Sequence, residues 1–175
     1  MLNPQNRLLC GVLFLGLLVL DQISKTWVVG TFDLGERVDV TSFFRLTLEY
    51  NEGIGLSMFS FLYDWIQGGS QLVFGVINIV ISGFILFFAR NEERRLALVG
   101  WTLVLAGAIG NAFDRFVALG TERTGVVDFI WLHWPGAFNF PVFNIADTAI
   151  TIGFIVVLID MFVVNPAADD RMEQE

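Results

Sequence analysis

The sequence predicts an all-α transmembrane protein: a bundle of four membrane-crossing helices, with a little β-structure and a short interfacial helix outside the bilayer. Three observations predict it. Charge is scarce: of 175 residues 16% are Asp, Glu, Lys or Arg against 55% hydrophobic, with a mean hydropathy of +0.66, whereas a water-facing domain carries about 25% charged residues. The apolar residues are gathered into long stretches rather than scattered. The polar residues that interrupt or border those stretches gather toward one end. The length suits a single membrane-embedded domain over residues 1–175. An acidic balance of 18 against 10, net charge −8, without a basic run argues against nucleic-acid binding. One cysteine, Cys10, and one histidine, His133, make neither an internal disulfide nor a Cys/His zinc site.

The spans fall at about 8–29, 71–89, 96–113 and 143–164. A run of about 18–20 residues at about 1.5 Å each covers the roughly 30 Å hydrocarbon layer. The first stretch could instead be a secretory signal, since Arg7 precedes an apolar core. No small-residue cleavage site follows, and Asp21 and Lys25 stand where one belongs. Four spans place both termini on one side. Arg7, Arg90, Arg94 and Arg95 flank that side, which makes it cytoplasmic and puts the segments at about 31–70 and 114–142 outside. In the first outer segment, Phe43–Tyr50 alternates weakly and Gly53–Phe59 is short and apolar, with Asn51-Glu52-Gly53 as turn residues, the pattern of a small hairpin. Phe61–Gln67 has the aromatic content of a short helix in the interface. The tail after Asn165 is charged and reads as a solvated end.

A charge within hydrocarbon costs a few kcal/mol or more, so each polar residue there needs a partner, a wet cavity or a function. Asp21 and Lys25, four apart, share a helix face; so do Asn111, Asp114 and Arg115 at the end of the third span. Asp21 and Lys25 could simply neutralise each other, and Arg115 could simply pair with Asp114. Asn144 and Asp147 lie within the first turns of the fourth span, and Asp128 sits in an apolar stretch, Val126–Leu132, returning toward the membrane. If Asp128 and Asp147 converge, desolvation and like-charge repulsion leave them sharing one proton. That supplies a base for water and an acid for a leaving amine, the chemistry of an aspartic protease; spacing alone leaves a proton relay equally open. Asp160, at the inner end of the same helix, is expected to snorkel to the interface without a role.

Five motifs in order then resemble the bacterial lipoprotein signal peptidases (signal peptidase II): DQISK at Asp21–Lys25, NEG at Asn51–Gly53, AGAIGNAFDR at Ala106–Arg115, VVDF around Asp128, and FNIAD at Phe143–Asp147. The resemblance implies an aspartic intramembrane endopeptidase in the bacterial cell membrane, both termini cytoplasmic, with an extracytoplasmic β cradle around Phe43–Phe59. It implies that Asp128 and Asp147 are catalytic and that Asp21, Lys25, Asn51, Gly53, Asn111, Asp114, Arg115 and Asn144 shape the polar cavity and hold substrate. The substrate implied is a diacylglyceryl-modified prolipoprotein, cleaved before its lipidated cysteine. No cofactor or metal is implied, and no oligomer; membrane lipid is the other partner. Gly107 and Gly110 are expected to serve helix packing. The chain departs from the family's habit at Ile54 and Gly55, where small residues such as alanine are usual, and in a longer loop at Val117–Gly125 carrying Glu122 and Arg123.

The rival from another class is a proton-coupled transporter using buried Asp and Lys. Only Asn78 and Asp160 offer polarity in the inner half of the bundle, too little for a conducting path. No HExxH motif is present, and His133 has no serine in a recognisable elbow. Ser24 and Lys25 are adjacent and so point to different helix faces, a poor Ser/Lys dyad.

Overall fold

The computed structural model describes residues 4–53, 70–134 and 136–164. Four helices of membrane-crossing length form the body: α1 (Pro4–Thr31), α2 (Ser70–Ala89), α3 (Arg95–Ala118) and α4 (Ile145–Ile159), the last continued by a wider π-helical turn at Asp160–Val164. The third helix runs a full turn beyond Phe113, so Asp114 and Arg115 are held within it. The expected hairpin strand at Gly53–Phe59, after Gly53, and the interfacial helix at Phe61–Gln67 lie outside the described residues.

Helix α3 is the inner helix, and α1, α2 and α4 all pack on it. Its composition explains this. Gly100, Ala106, Gly107, Ala108, Gly110 and Ala112 are buried along it, and small residues let backbones approach in a membrane, where lipid removes any hydrophobic drive between helices. A Cβ on Gly107 would sit 2.3 Å from the Ala146 carbonyl oxygen, and one on Gly153 2.6 Å from that of Gly100. The α3–α4 seam is therefore backbone against backbone. By contrast α2 is the most apolar helix, with a peak hydropathy of 2.6, and presents Ile77, Val80, Phe84 and Phe88 outward, as a lipid-facing helix does.

A four-stranded antiparallel sheet caps one end of the bundle, in the order β1 (Arg37–Asp39), β2 (Phe44–Asn51), β3 (Val126–Trp134), β4 (Phe138–Asn139). Phe44 lies opposite Leu132 and Asn51 opposite Val126, with a bulge between Leu46 and Glu49. Thus β2 pairs with β1 and with a strand from the segment between α3 and α4. The sheet is pinned to the helices by a cluster of Val28, Leu48, Val127 and Phe129, against which Ile145 also packs. Val28 is fully buried at the end of α1, so the strand carrying Asp128 is held against the helix ends. At the opposite end, Asp160 does not snorkel: it is 2% exposed, and its carboxylate lies 2.7 Å from Arg94 Nη1.

Candidate active site

Asn144 is the N-cap of α4, and the pair it forms with Asp147 is a capping box. The Asp147 N–H donates to Asn144 Oδ1 at 2.9 Å, and the Asn144 N–H donates to Asp147 Oδ2 at 3.2 Å. Satisfying the helix's orphan N–H groups in this way fixes both side chains without rotamer freedom. With its Oδ1 committed, Asn144 turns its Nδ2 to Asp128 Oδ1 at 2.6 Å. One asparagine thus holds both aspartates, one through its backbone and one through its amide.

Asp128 lies opposite Glu49 on β3 and is 2% exposed. Its second oxygen accepts from Asn51 Nδ2 at 2.9 Å. Asn51 is aimed there by a local turn: its own Oδ1 accepts the Gly53 N–H at 2.9 Å. Gly53 has φ of +85°, and a Cβ there would meet the Phe74 ring at 2.8 Å, so both backbone and space require glycine. Burial, with the negative charge of Asp147 adding to it, pushes the Asp128 carboxyl from 3.8 up to about 7; the two amide donors pull against that rise without cancelling it.

Asn111 supplies the second amide. Its Nδ2 donates to Asp147 Oδ1 at 2.8 Å, while its Oδ1 accepts from Lys25 Nζ and from Asn144 Nδ2, each at 3.2 Å. An amide can face either way, and the ammonium decides which. Lys25 is 1% exposed and uses its three protons on Asn111, on Asp21 at 2.9 Å and on Asp114 at 2.8 Å. Asp21 in turn accepts the Ala146 N–H at the start of α4, and Asp114 accepts the Val127 N–H beside Asp128. A buried ammonium with two carboxylates therefore ties α1, α3, α4 and β3 together behind the aspartates. The i, i+4 pair of Asp21 and Lys25 is one edge of that knot.

Arg115 does not pair with Asp114. Its Nη1 donates to Gln71 Oε1 at 2.9 Å, and its guanidinium lies 5.1 Å from the Phe74 ring centre, while the negative charges of Asp128, Asp147 and Asp114 act on it. Gln71 also donates to the Glu52 carbonyl. Sequence reasoning missed Gln71, Gln22 and Phe74. Gln22 donates toward Asp21 and Asp114; its position beside Asp21 was the available signal, and for Gln71 it was a polar residue opening an apolar span. Gly110 adjoins the knot, since a Cβ there would be 2.8 Å from Asp21 Oδ2. Ser24 donates to the Asp21 carbonyl, away from any nucleophilic arrangement with Lys25.

Chemically, every carboxylate oxygen of Asp128 and Asp147 already accepts an N–H and keeps a further lone pair for a proton or a water. The pair sits at the sheet end of the bundle.

Comparison with known proteins finds relatives that span most of this chain. A family model described as signal peptidase (SPase) II matches residues 13–163. A lipoprotein signal peptidase of Nitrobacter hamburgensis is 40% identical over 159 residues, covering 86% of this chain and 90% of that one. One from Pseudomonas fluorescens is 40% identical over 155 residues, 86% and 85% of the two chains, and one from Neisseria meningitidis 38% over 163 residues, 91% and 92%. Two solved structures of bacterial membrane enzymes, obtained by the in meso method, are similar. One, at 28% identity, has a TM-score of 0.70 over 86% of this chain and 90% of that chain. The other, at 27%, has 0.72 over 90% and 89%.

Proposed function

The chain belongs to the signal peptidase II family, and on that premise we propose that it is an aspartic intramembrane endopeptidase in which Asp128 and Asp147 activate water. Its substrate is a prolipoprotein bearing a diacylglyceryl group on its cysteine, cut at the peptide bond before that cysteine. The observation that carries the reading is the shared attachment of both carboxylates to Asn144. The enzyme lies in the bacterial cell membrane with both termini in the cytoplasm and the sheet on the outer side, where β1 and β2 serve as a cradle beside the site.

The proton inventory follows from the environments. Asp128, with its carboxyl raised to about 7, is the member of the pair that carries the proton up to that pH, while Asp147 sits in the first turn of a helix with two N–H donors and serves as base. Water placed between them attacks the scissile carbonyl carbon. Asp147 takes a water proton as Asp128 gives its own to the carbonyl oxygen. In the collapse Asp128 recovers a proton from the gem-diol, Asp147 delivers its proton to the departing nitrogen, and the C–N bond breaks to an acid and the free amine of the cysteine. Asn111 and Asn144 keep the carboxylates in place, and Arg115 lends positive charge to the developing oxyanion. Lys25, Asp21 and Asp114 hold that constellation from behind, and Asn51 with Gly53 brings the β2 end to Asp128.

The transporter reading has less support: the titratable group at the far end, Asp160, is already paired with Arg94. The test is cleavage of a synthetic diacylated precursor peptide beside its unlipidated counterpart. Turnover of the lipidated peptide, lost in Asp128→Asn and Asp147→Asn, is expected. Retained turnover in either variant, or proton flux in liposomes abolished by the same substitutions, overturns the reading.

A further inference from the structure

The sheet has a second surface, unconnected with the aspartates. Alternation along β3 sends Ile130 and Leu132 to one side and Trp131 and His133 to the other. Arg45 faces Trp131 across the β2–β3 pair, and Arg37 and Arg45 place their guanidinium carbons 4.6 and 5.1 Å from the Trp131 ring centre. Among the described residues the carboxylate ion-paired on this side is that of Asp39, bonded to Arg45. Two guanidiniums against one carboxylate leave net positive charge here in a chain of net charge −8.

Beside them a cavity of about 540 Å³ opens among Arg45, His133, Trp134, Phe138 and Asn139. His133 is 6% exposed, its ring 5.5 Å from that of Trp131, and its Nε2 is buried without a hydrogen-bond partner among the described residues. His133 lines this cavity, and a buried imidazole nitrogen without a partner is costly unless something comes to it. Around the mouth Phe43 and Trp134 stack at 6.4 Å and stand about half exposed, as do Phe138 and Phe140. Exposed aromatics with arginines at the end of a membrane bundle mark the headgroup level.

We propose that this cavity seats the phosphate of an anionic phospholipid from the leaflet on the sheet's side. Arg45 and His133 bind its oxygens, Arg37 adds charge, and Trp134 and Phe138 lie among the glycerol and upper acyl carbons. Guanidinium and phosphate geometries match, which favours phosphate over a zwitterionic headgroup whose own cation would meet the arginines. A diacylglyceryl group carries no phosphate, so this is a lipid seat separate from substrate. His133 is five residues, about 16 Å of strand, from Asp128. The proposal stands independently of the hydrolytic reading.

His133 is the only histidine in the chain, so its imidazole resonance reports one site. The experiment titrates dihexanoyl phosphatidylglycerol into the full-length protein in non-ionic detergent, with dihexanoyl phosphatidylcholine and inorganic phosphate in parallel. A saturable shift with phosphatidylglycerol is expected, with a midpoint at least tenfold lower than for phosphatidylcholine and no response to inorganic phosphate at the same concentrations. Arg37→Gln with Arg45→Gln should raise that midpoint at least tenfold. Arg37→Gln alone, on an exposed side chain, should raise it measurably if the double variant does not fold. No saturable shift, equal midpoints for the two lipids, an equal response to inorganic phosphate, or midpoints unmoved in a folded variant would each overturn the proposal.

Discussion

Replacing Asp128 by Asn should stabilise the protein at alkaline pH and not at acid pH. The folded carboxyl is pushed up to about 7 from 3.8, so between those values the folded state binds the proton that the unfolded state has released. Stability from this group is therefore fully present below about pH 4 and is lost as pH rises toward 7. Linkage puts the loss between pH 5 and pH 8 at roughly 3 kcal/mol. The asparagine does not titrate, but it turns one N–H toward a donor, Asn51 Nδ2 or Asn144 Nδ2, at a cost of about 1–3 kcal/mol at every pH. Because part of the parent's loss has already occurred by pH 5, the variant should be about as stable as the parent there and the more stable protein at pH 8. At about 2–4 °C per kcal/mol, the Tm difference should swing by about 6–12 °C between these pH values. Thermal unfolding in detergent, followed by circular dichroism, reads the swing directly. Parallel Tm profiles of the two proteins against pH would refute the claim that Asp128 is held protonated by its surroundings.

Other outcomes follow from the same geometry. Hydrolysis should fall as pH rises through about 7, because the protonated Asp128 is the acid; Asn51→Ala, which removes a bond favouring the ionised form, should move that descending limb to higher pH in a pH–rate profile. Lys25→Met leaves two buried carboxylates uncompensated and should cost about 3–5 kcal/mol by thermal or denaturant unfolding. Gly107→Ala forces a methyl to within 2.3 Å of the Ala146 oxygen and should cost about 1–3 kcal/mol while displacing α4 and lowering kcat; Gly16→Ala, with nothing within 4 Å, should be neutral or slightly stabilising by the same assays.

The helices were legible because lipid imposes a strong rule: runs of membrane length with few charges stand out in the sequence from Leu8 to Val164. The site was legible in outline because Asp21, Lys25, Asn111, Asp114 and Asp147 are expensive where they stand. The strand β3 was not. Val126, Val127, Asp128 and Phe129 are all buried, so the two-residue period that announces a half-exposed strand is absent. Its pairing with β2 joins segments more than seventy residues apart across two helices, and β1 is three residues long. Nor does spacing reveal that Lys25 bridges Asp21 to Asp114 on another helix, or that Arg115 turns to Gln71 instead of its neighbour Asp114. These choices depend on which helix faces meet, and the glycines of α3 decide that in three dimensions.

Single-turnover cleavage of a diacylated peptide by Asp128→Asn, Asp147→Asn and the double variant tests the aspartate pair most directly. Groups acting as one unit are non-additive, so each single substitution should lose about as much rate as both together, with Lys25 and Asn144 intact in all three. A single variant that keeps activity within about tenfold of the parent, or losses that multiply in the double variant, would mean that the two carboxylates do not work on one water.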